Sequence, residues 1–206
     1  MIVTELIPIS KGRYKVYIDQ EFAFVLYKGE LHVYELEVGA EVDGTCYEEI
    51  VSTVLPKRAK LRAMNLLQKR TYTTKQLRDK LKEGFYPEEI IEEAIAYVSS
   101  YHYLDDHRYA LDYITYHAEM KSEKKLQYDL LNKGVPADII AAAFDEWREL
   151  GGDQNEIEMI RKQLEKKKYS PDCDIKEKQK VYSYLLRKGF SLENVNKVLG
   201  RMDSFA

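Results

Sequence analysis

Three short stretches decide how this chain reads: LKEGF at residues 81–85, LNKGV at 131–135 and LRKGF at 186–190. In each, a leucine-bearing helical pattern meets a glycine stop and an apolar residue. Each is followed by a fresh helix start: YPEEII, PADII and SLENV. The three glycines, Gly84, Gly134 and Gly189, fall 50 and 55 residues apart, and the longer interval contains the loop-like KKKYSPDCD. A period of this size marks tandem structural units. Each unit has room for one helix before the glycine-terminated helix and one after it. In the second these are expected at 106–120, 123–133 and 137–150.

The expected architecture is therefore mainly α. Three tandem three-helix repeats, at 57–105, 106–154 and 155–206, form an elongated curved array behind an acidic β-rich region at 1–56. In that first region RYKVYID (13–19) alternates Tyr14, Val16 and Ile18 against polar neighbours. Further on, EFAFVLYKGELHVYELEV (21–38) reads as a hairpin that turns near Lys28-Gly29 and resumes through Leu31 and Val33. Three or four short strands are expected, ending at a turn near Asp43-Gly44. After Pro56 the spacing of Leu61, Met64 and Leu67 is helical. Thr73 with Gln76 resembles a capping box. Pro87 fits the start of a helix whose buried face is Ile90, Ile91, Ala94, Ile95 and Val98.

Between the first two repeats lies YLDDHRYA (103–110). Two adjacent acids beside a histidine suggest acid–base or metal chemistry. The position favours a helix start, with Asp105 or Asp106 capping the first free N–H groups and Tyr103 and Leu104 packing back as a staple. Tyr109, Ala110, Tyr113 and Ile114 then form the buried stripe. His107 and His117 share a helix face but are too far apart to chelate one ion. No phosphate-loop, dinucleotide, esterase or zinc-protease motif occurs, so no catalytic residue, cofactor or metal is expected.

Composition agrees with a globular protein: 45% of residues are hydrophobic and no apolar run approaches a membrane span. The start lacks the pattern of a signal peptide, and Cys46 and Cys173 are too few for a disulfide framework. A reduced, cytoplasmic monomer is expected. The net charge of −3 conceals an asymmetry. Residues 1–56 carry 4 basic and 10 acidic side chains, whereas residues 57–82 carry 10 basic ones against Asp79 alone. Arg58, Arg62, Lys69, Arg70, Lys75 and Arg78 are the first candidates for contact with a partner. Lys124, Lys125, Lys167 and Arg187 come second. Such groups suit either DNA phosphates or an acidic protein surface, and the sequence does not separate the two.

The repeated L-x-x-G-[F/V], together with YLDD-x-x-[F/Y]-A, resembles the RecX regulatory proteins. LLQKRTYTTKQLRDKLKEGFYPEEIIEEAI (66–95) looks like their first repeat, and KSEKKLQYDLLNKGV (121–135) like the centre of the second. The resemblance spans roughly residues 57–202, and the acidic N-terminal part is similar to an extension of longer members. It implies a non-enzymatic protein that binds the RecA recombinase filament on single-stranded DNA, lies along its groove, and inhibits ATP hydrolysis and strand exchange. Carried onto this chain, the family motif is Tyr103, Leu104, Asp105, Asp106 and Ala110, with Gly84, Gly134 and Gly189 as stops, all structural. The competing reading is a DNA-binding protein of helix-turn-helix-like units acting without a recombinase. Against it, the third helix of the first repeat, YPEEIIEEAIAYV, is acidic where a groove-reading helix would be basic.

Overall fold

The computed structural model describes residues 1–10 and 12–200. Residues 201–206, the end of the expected third repeat, lie outside the described residues. The chain opens with a three-stranded antiparallel sheet in the order β1-β2-β3, formed by β1 (Val3–Ser10), β2 (Arg13–Ile18) and β3 (Glu21–Tyr27). Asp19 and Gln20, both at positive φ, make the two-residue turn between β2 and β3, the backbone twist that such a hairpin needs. Val3, Val16, Ile18, Phe24 and Leu26 are buried on the sheet's inner side. Phe22, which alternates with Phe24 and Leu26 along the strand, is 43% exposed. Val16 pairs with Phe24 but its neighbour Tyr17 pairs with Phe22, so Ala23 is a bulge that turns Phe22 off the inner face. Phe22 packs edge-on against Tyr17 and Phe85 instead.

The expected hairpin through Lys28-Gly29 does not form. Residues Lys28–Val33 are a helix, α1. The Glu30 carboxylate accepts the Tyr27 N–H at 2.7 Å and pairs with Arg58 at 3.0 Å, which ends strand pairing after Tyr27 and starts a helical turn. Leu31 is buried by that turn while Val33 is 72% exposed. Asp43-Gly44 is likewise a helix start rather than a strand end. Asp43 caps α2 (Gly44–Glu49), and α2 runs through a π-helical turn at Ile50–Val54 into α3 (Leu55–Leu67). Pro56 is therefore inside a continuous helical run. Its ring crowds the carbonyl four residues back, and the widened turn just before it relieves that contact.

The first three-helix set is α3, α4 (Thr74–Lys82) and α5 (Glu88–Ser100). The buried stripe of α3 is Leu55, Pro56, Ala59, Ala63 and Leu66. Leu61, which shares the helical spacing of Met64 and Leu67, is 51% exposed, because α3 meets α5 through its small alanines, which let the two helices approach closely. Thr73 and Gln76 do form the reciprocal capping box. The α5 stripe is Ile90, Ile91, Ala94, Ile95 and Val98, as its spacing predicts. One continuous core joins the sheet's inner residues to these helices, and the compact unit runs from Met1 to Asp105.

A second unit begins at Asp106. It contains α6 (Asp106–His117), α7 (Glu123–Asn132) and α8 (Ala137–Glu149), around Ile114, Leu126, Leu130 and Phe144. Next come α9 (Glu156–Lys166), α10 (Ile175–Arg187) and α11 (Leu192–Leu199), around Ile160, Leu185, Phe190 and Val195.

The three glycine stops are not equivalent. Gly134 and Gly189 adopt positive φ, and the following residues, Val135 and Phe190, donate back to Leu130 and Leu185. These are Schellman endings, which require a left-handed residue and so favour glycine. After α4 it is Phe85 that takes positive φ. Gly84 answers a different need: a Cβ there would stand 2.8 Å from the Tyr86 ring.

Candidate interaction surface

YLDD lies where the two units are divided. Asp106 opens α6, so Asp105 occupies the capping position ahead of it. Leu104 is buried in the first unit's core and Ala110 in the second's. Tyr103 does not pack back as a staple: it is 58% exposed and stacks on Tyr101 at 5.9 Å. His107 lies 3.5 Å from Glu146, and among the described residues no three His, Cys, Asp or Glu side chains converge as a metal set.

The basic run of the first repeat is largely answered by acids within the same unit. Arg78 makes two bonds to Glu92, at 2.7 and 3.0 Å, which hold the Glu92 carboxyl below its ordinary range. Lys60 pairs with Glu93, Lys82 with Glu88, Lys80 with Glu83 and Lys75 with Asp79. Arg58 is an internal strut. Its guanidinium reaches the Val25 carbonyl and the Glu30 carboxylate, each at 3.0 Å, and lies over the Tyr27 ring at 4.5 Å. Six of the ten cations between residues 57 and 82 are thus ion-paired. Arg70 stacks on Tyr72 at 4.3 Å. Arg62 and Lys69 remain exposed on the surface without a carboxylate partner.

In the second repeat, Lys125 is not a loose surface charge. It joins Lys121 in clasping Asp129, each at 2.8 Å, with Tyr113 donating to the same carboxylate. Burial pushes the Asp129 carboxyl upward, but the hydrogen bonds from Lys121 and Lys125 outweigh it and hold the group below its usual range. Lys124 is exposed.

The third repeat behaves differently. Among its described cations only Lys162, with Glu158, and Lys197, with Glu193, make ion pairs. Arg161, Lys166, Lys168, Lys176, Lys180 and Arg187 are exposed without one. Lys167 lies over the Tyr184 ring at 4.1 Å and Lys188 at 5.7 Å. Two acids of this repeat are engaged at helix starts. Glu156 accepts from Ser191 Oγ at 2.9 Å and from Asn194 Nδ2 at 2.7 Å, and Asp174 accepts the Glu177 N–H. The run Lys166-Lys167-Lys168 stands out in the sequence as a basic cluster, whereas Lys176 and Lys180 do not. Counting acids placed to pair at helical spacing would have found Lys176, but not Lys180, which follows Glu177 by three residues.

The second and third repeats are fastened through one glycine. Ser122 Oγ donates to the Gly189 carbonyl at 2.6 Å and accepts the Lys125 N–H, capping α7 from both sides. A Cβ on Gly189 would stand 2.5 Å from Ser122 Oγ and 2.6 Å from Lys125 Cβ.

Comparison with known proteins agrees with this architecture. Residues 59–97 match the model for the first three-helix domain of RecX, and residues 154–199 match that for its third. The regulatory protein RecX of Caldanaerobacter subterraneus subsp. tengcongensis is 34% identical over 201 residues, covering 97% of this chain and 98% of that protein. That of Clostridium acetobutylicum is 32% identical over 195 residues, covering 92% and 90%. A crystal structure of a regulatory protein RecX superposes with a TM-score of 0.59 at 25% identity, over 96% of this chain and 98% of that one. With three-helix domains in the same order and a relative above 30% identity across nearly the full length, the chain belongs to the RecX family of regulatory proteins.

Proposed function

We propose that the chain is a non-enzymatic, cytoplasmic regulator that binds a RecA-type recombinase filament on single-stranded DNA and inhibits its ATP hydrolysis and strand exchange. The observation that carries this reading is the set of exposed cations on and beside α9 and α10 that have no ion pair, in a fold of RecX three-helix domains. A regulator that reaches a filament must engage either acidic protein surface or DNA phosphate, and unpaired lysines and arginines serve both. The contact set is Lys166, Lys167, Lys168 and Arg187 in the second unit, with Lys124, Arg62, Lys69 and Arg70 as further contacts. Arg58, Lys75, Arg78 and Lys125 hold the repeats in shape.

The competing reading, a direct DNA binder of helix-turn-helix-like units, draws less support. The acids of α5 are engaged with α3 and α4, and the third helix of the last repeat, α11, carries only Lys197, itself paired with Glu193. The test is recombinase ATP hydrolysis on single-stranded DNA, titrated with this protein at two salt concentrations. Substoichiometric inhibition, weakened by Lys166, Lys168 and Arg187→Gln, is the expected result. Unchanged hydrolysis, alongside tight salt-sensitive binding to bare DNA, would sink the proposal in favour of the direct binder.

A further inference from the structure

Within the first unit, where most cations have a carboxylate partner, two arginines without one line the same cavity. It has a volume of about 340 Å³ and is bordered by Arg13, Tyr27, Arg62, Lys80, Glu83 and Tyr86, with Gly84 at its edge. Three elements build it: β2 supplies Arg13, the end of β3 supplies Tyr27, and the helical layer supplies the rest. Lys80 and Glu83 pair with each other at 2.8 Å, so their charges cancel locally. Arg13 is half-buried, and its Nε donates to the Ser10 hydroxyl at 3.0 Å. Arg62 is exposed, with no ion pair of its own. Two guanidinium charges thus border one polar cavity whose one carboxylate, Glu83, is paired with Lys80.

The walls are held in place from behind. The Arg58 guanidinium lies 4.5 Å from the centre of the Tyr27 ring and 6.0 Å from that of Tyr86, and Glu30 neutralises it at 3.0 Å. Burial pushes the Tyr86 phenol above its ordinary range, so it stays a neutral donor. Gly84 belongs to the same construction, because a Cβ there would stand 2.8 Å from the Tyr86 ring and displace that wall. A guanidinium presents a planar fork of N–H donors that matches two oxygens of a phosphate, and phenol hydroxyls add single donors. The volume falls within the range of small-ligand sites.

We propose that this cavity is a phosphate-binding site, with Arg13 and Arg62 as the groups that grip the phosphate oxygens. The site belongs to the free protein and does not depend on filament binding. Phosphate reaches it either as a mononucleotide or as the phosphodiester of a single strand. The experiment is a titration of the full chain, followed through its arginine Nε–H NMR resonances, with inorganic phosphate, with adenosine triphosphate and, separately, with a 15-nucleotide oligo(dT).

Shifts of the Arg13 and Arg62 signals are expected, weakened about tenfold or more in Arg13→Gln and Arg62→Gln, as loss of a charge-assisted contact implies. Lys75→Gln, which removes an exposed cation elsewhere on the same unit, should leave the affinity unchanged. Saturation by the triphosphate at lower concentration than by the oligomer would identify a mononucleotide site, and the reverse order a strand phosphodiester. If no probe moves the two signals, or if the signal of either arginine shifts with unchanged affinity when the other is replaced in folded protein, the proposal is overturned.

Discussion

The first and third repeats share one helical plan and a similar wealth of lysine and arginine, yet they use those charges in opposite ways. In the first repeat, α5 brings Glu88, Glu92 and Glu93 against the basic helices, and most of the positive run is taken up in ion pairs. In the third, Glu156 and Asp174 are occupied at helix starts, and most of the described cations have no ion pair. A stretch of sequence therefore does not reveal its effective charge. What matters is whether the next helix to pack against it is acidic, and what else its carboxylates are doing.

The strongest way to break this contrast is to remove charge from both repeats in equal number. Lys166, Lys168 and Arg187→Gln should weaken binding to single-stranded oligonucleotide on the order of a hundredfold at low salt, and flatten the log–log salt slope by about 2. The matching set Lys75, Arg78 and Lys82→Gln should leave the slope alone and lower thermal stability slightly, since exposed pairs contribute only about 0.2–1 kcal/mol each. Fluorescence anisotropy across a salt series reads both variants. Equal losses from the two sets would show that pairing within the first repeat does not withdraw its cations from binding.

The glycines sharpen the same comparison at the level of the backbone. Gly189→Ala should cost about 2 kcal/mol or more, combining left-handed strain with a Cβ forced against the capped start of α7. Gly84→Ala carries no such φ, and the Tyr86 ring can swing, so roughly 1 kcal/mol or less is expected. Urea unfolding of each full-length variant measures the difference. A Gly84 variant as damaged as the Gly189 one would mean that the Tyr86 wall is as rigid as the joint between repeats.

Helix capping supplies a smaller effect. Thr73→Ala removes the buried hydroxyl that accepts the Gln76 N–H at 3.2 Å, and should cost about 1 kcal/mol. The corresponding change in the second repeat, Ser122→Ala, should cost more, because Ser122 also holds the Gly189 carbonyl. Equal losses would show that the bond to Gly189 adds nothing to the cap.

Much of the helical layout was legible because it rests on local chemistry. The Thr73 box, the α5 stripe and the glycine ends of α7 and α10 are all set within a few residues of themselves. The misreadings share a different cause. Lys28–Val33 alternates like a strand, but Glu30 is drawn into a helical turn by Arg58, a residue 28 positions away. Leu61 has helical spacing like a core residue, yet the alanines beside it decide which face of α3 meets α5. The charged surface followed the same rule. Lys69 and Arg62 could be picked out from sequence, but separating them from Arg58 and Arg78 required knowing where Glu30 and Glu92 would fold. Arg13 of β2 carried no signal, because it becomes part of a site only when the sheet packs beside α3 and α4.

The unpaired cations of the third repeat also leave an electrostatic trace inside their own unit, and this gives the smallest expected effect. His117, at the end of α6, packs against Tyr113 and Tyr116, and its Nδ1 is buried without a hydrogen-bond partner. Burial lowers its affinity for a proton. Lys121, Lys133 and Lys188 add to this, and Asp129 opposes them. The folded pKa is therefore below the unfolded one. Below about pH 6.5 the unfolded chain binds the extra proton more readily, so stability falls as the pH drops through that value towards the folded pKa. His117→Gln should flatten the melting temperature between about pH 7 and pH 5. Lys188→Gln, acting from the third repeat, should do so only in part, because it removes one of three repelling charges. A Lys188 variant with the full wild-type slope would show that the charge of the third repeat does not reach the histidine and is spent entirely on its outer face.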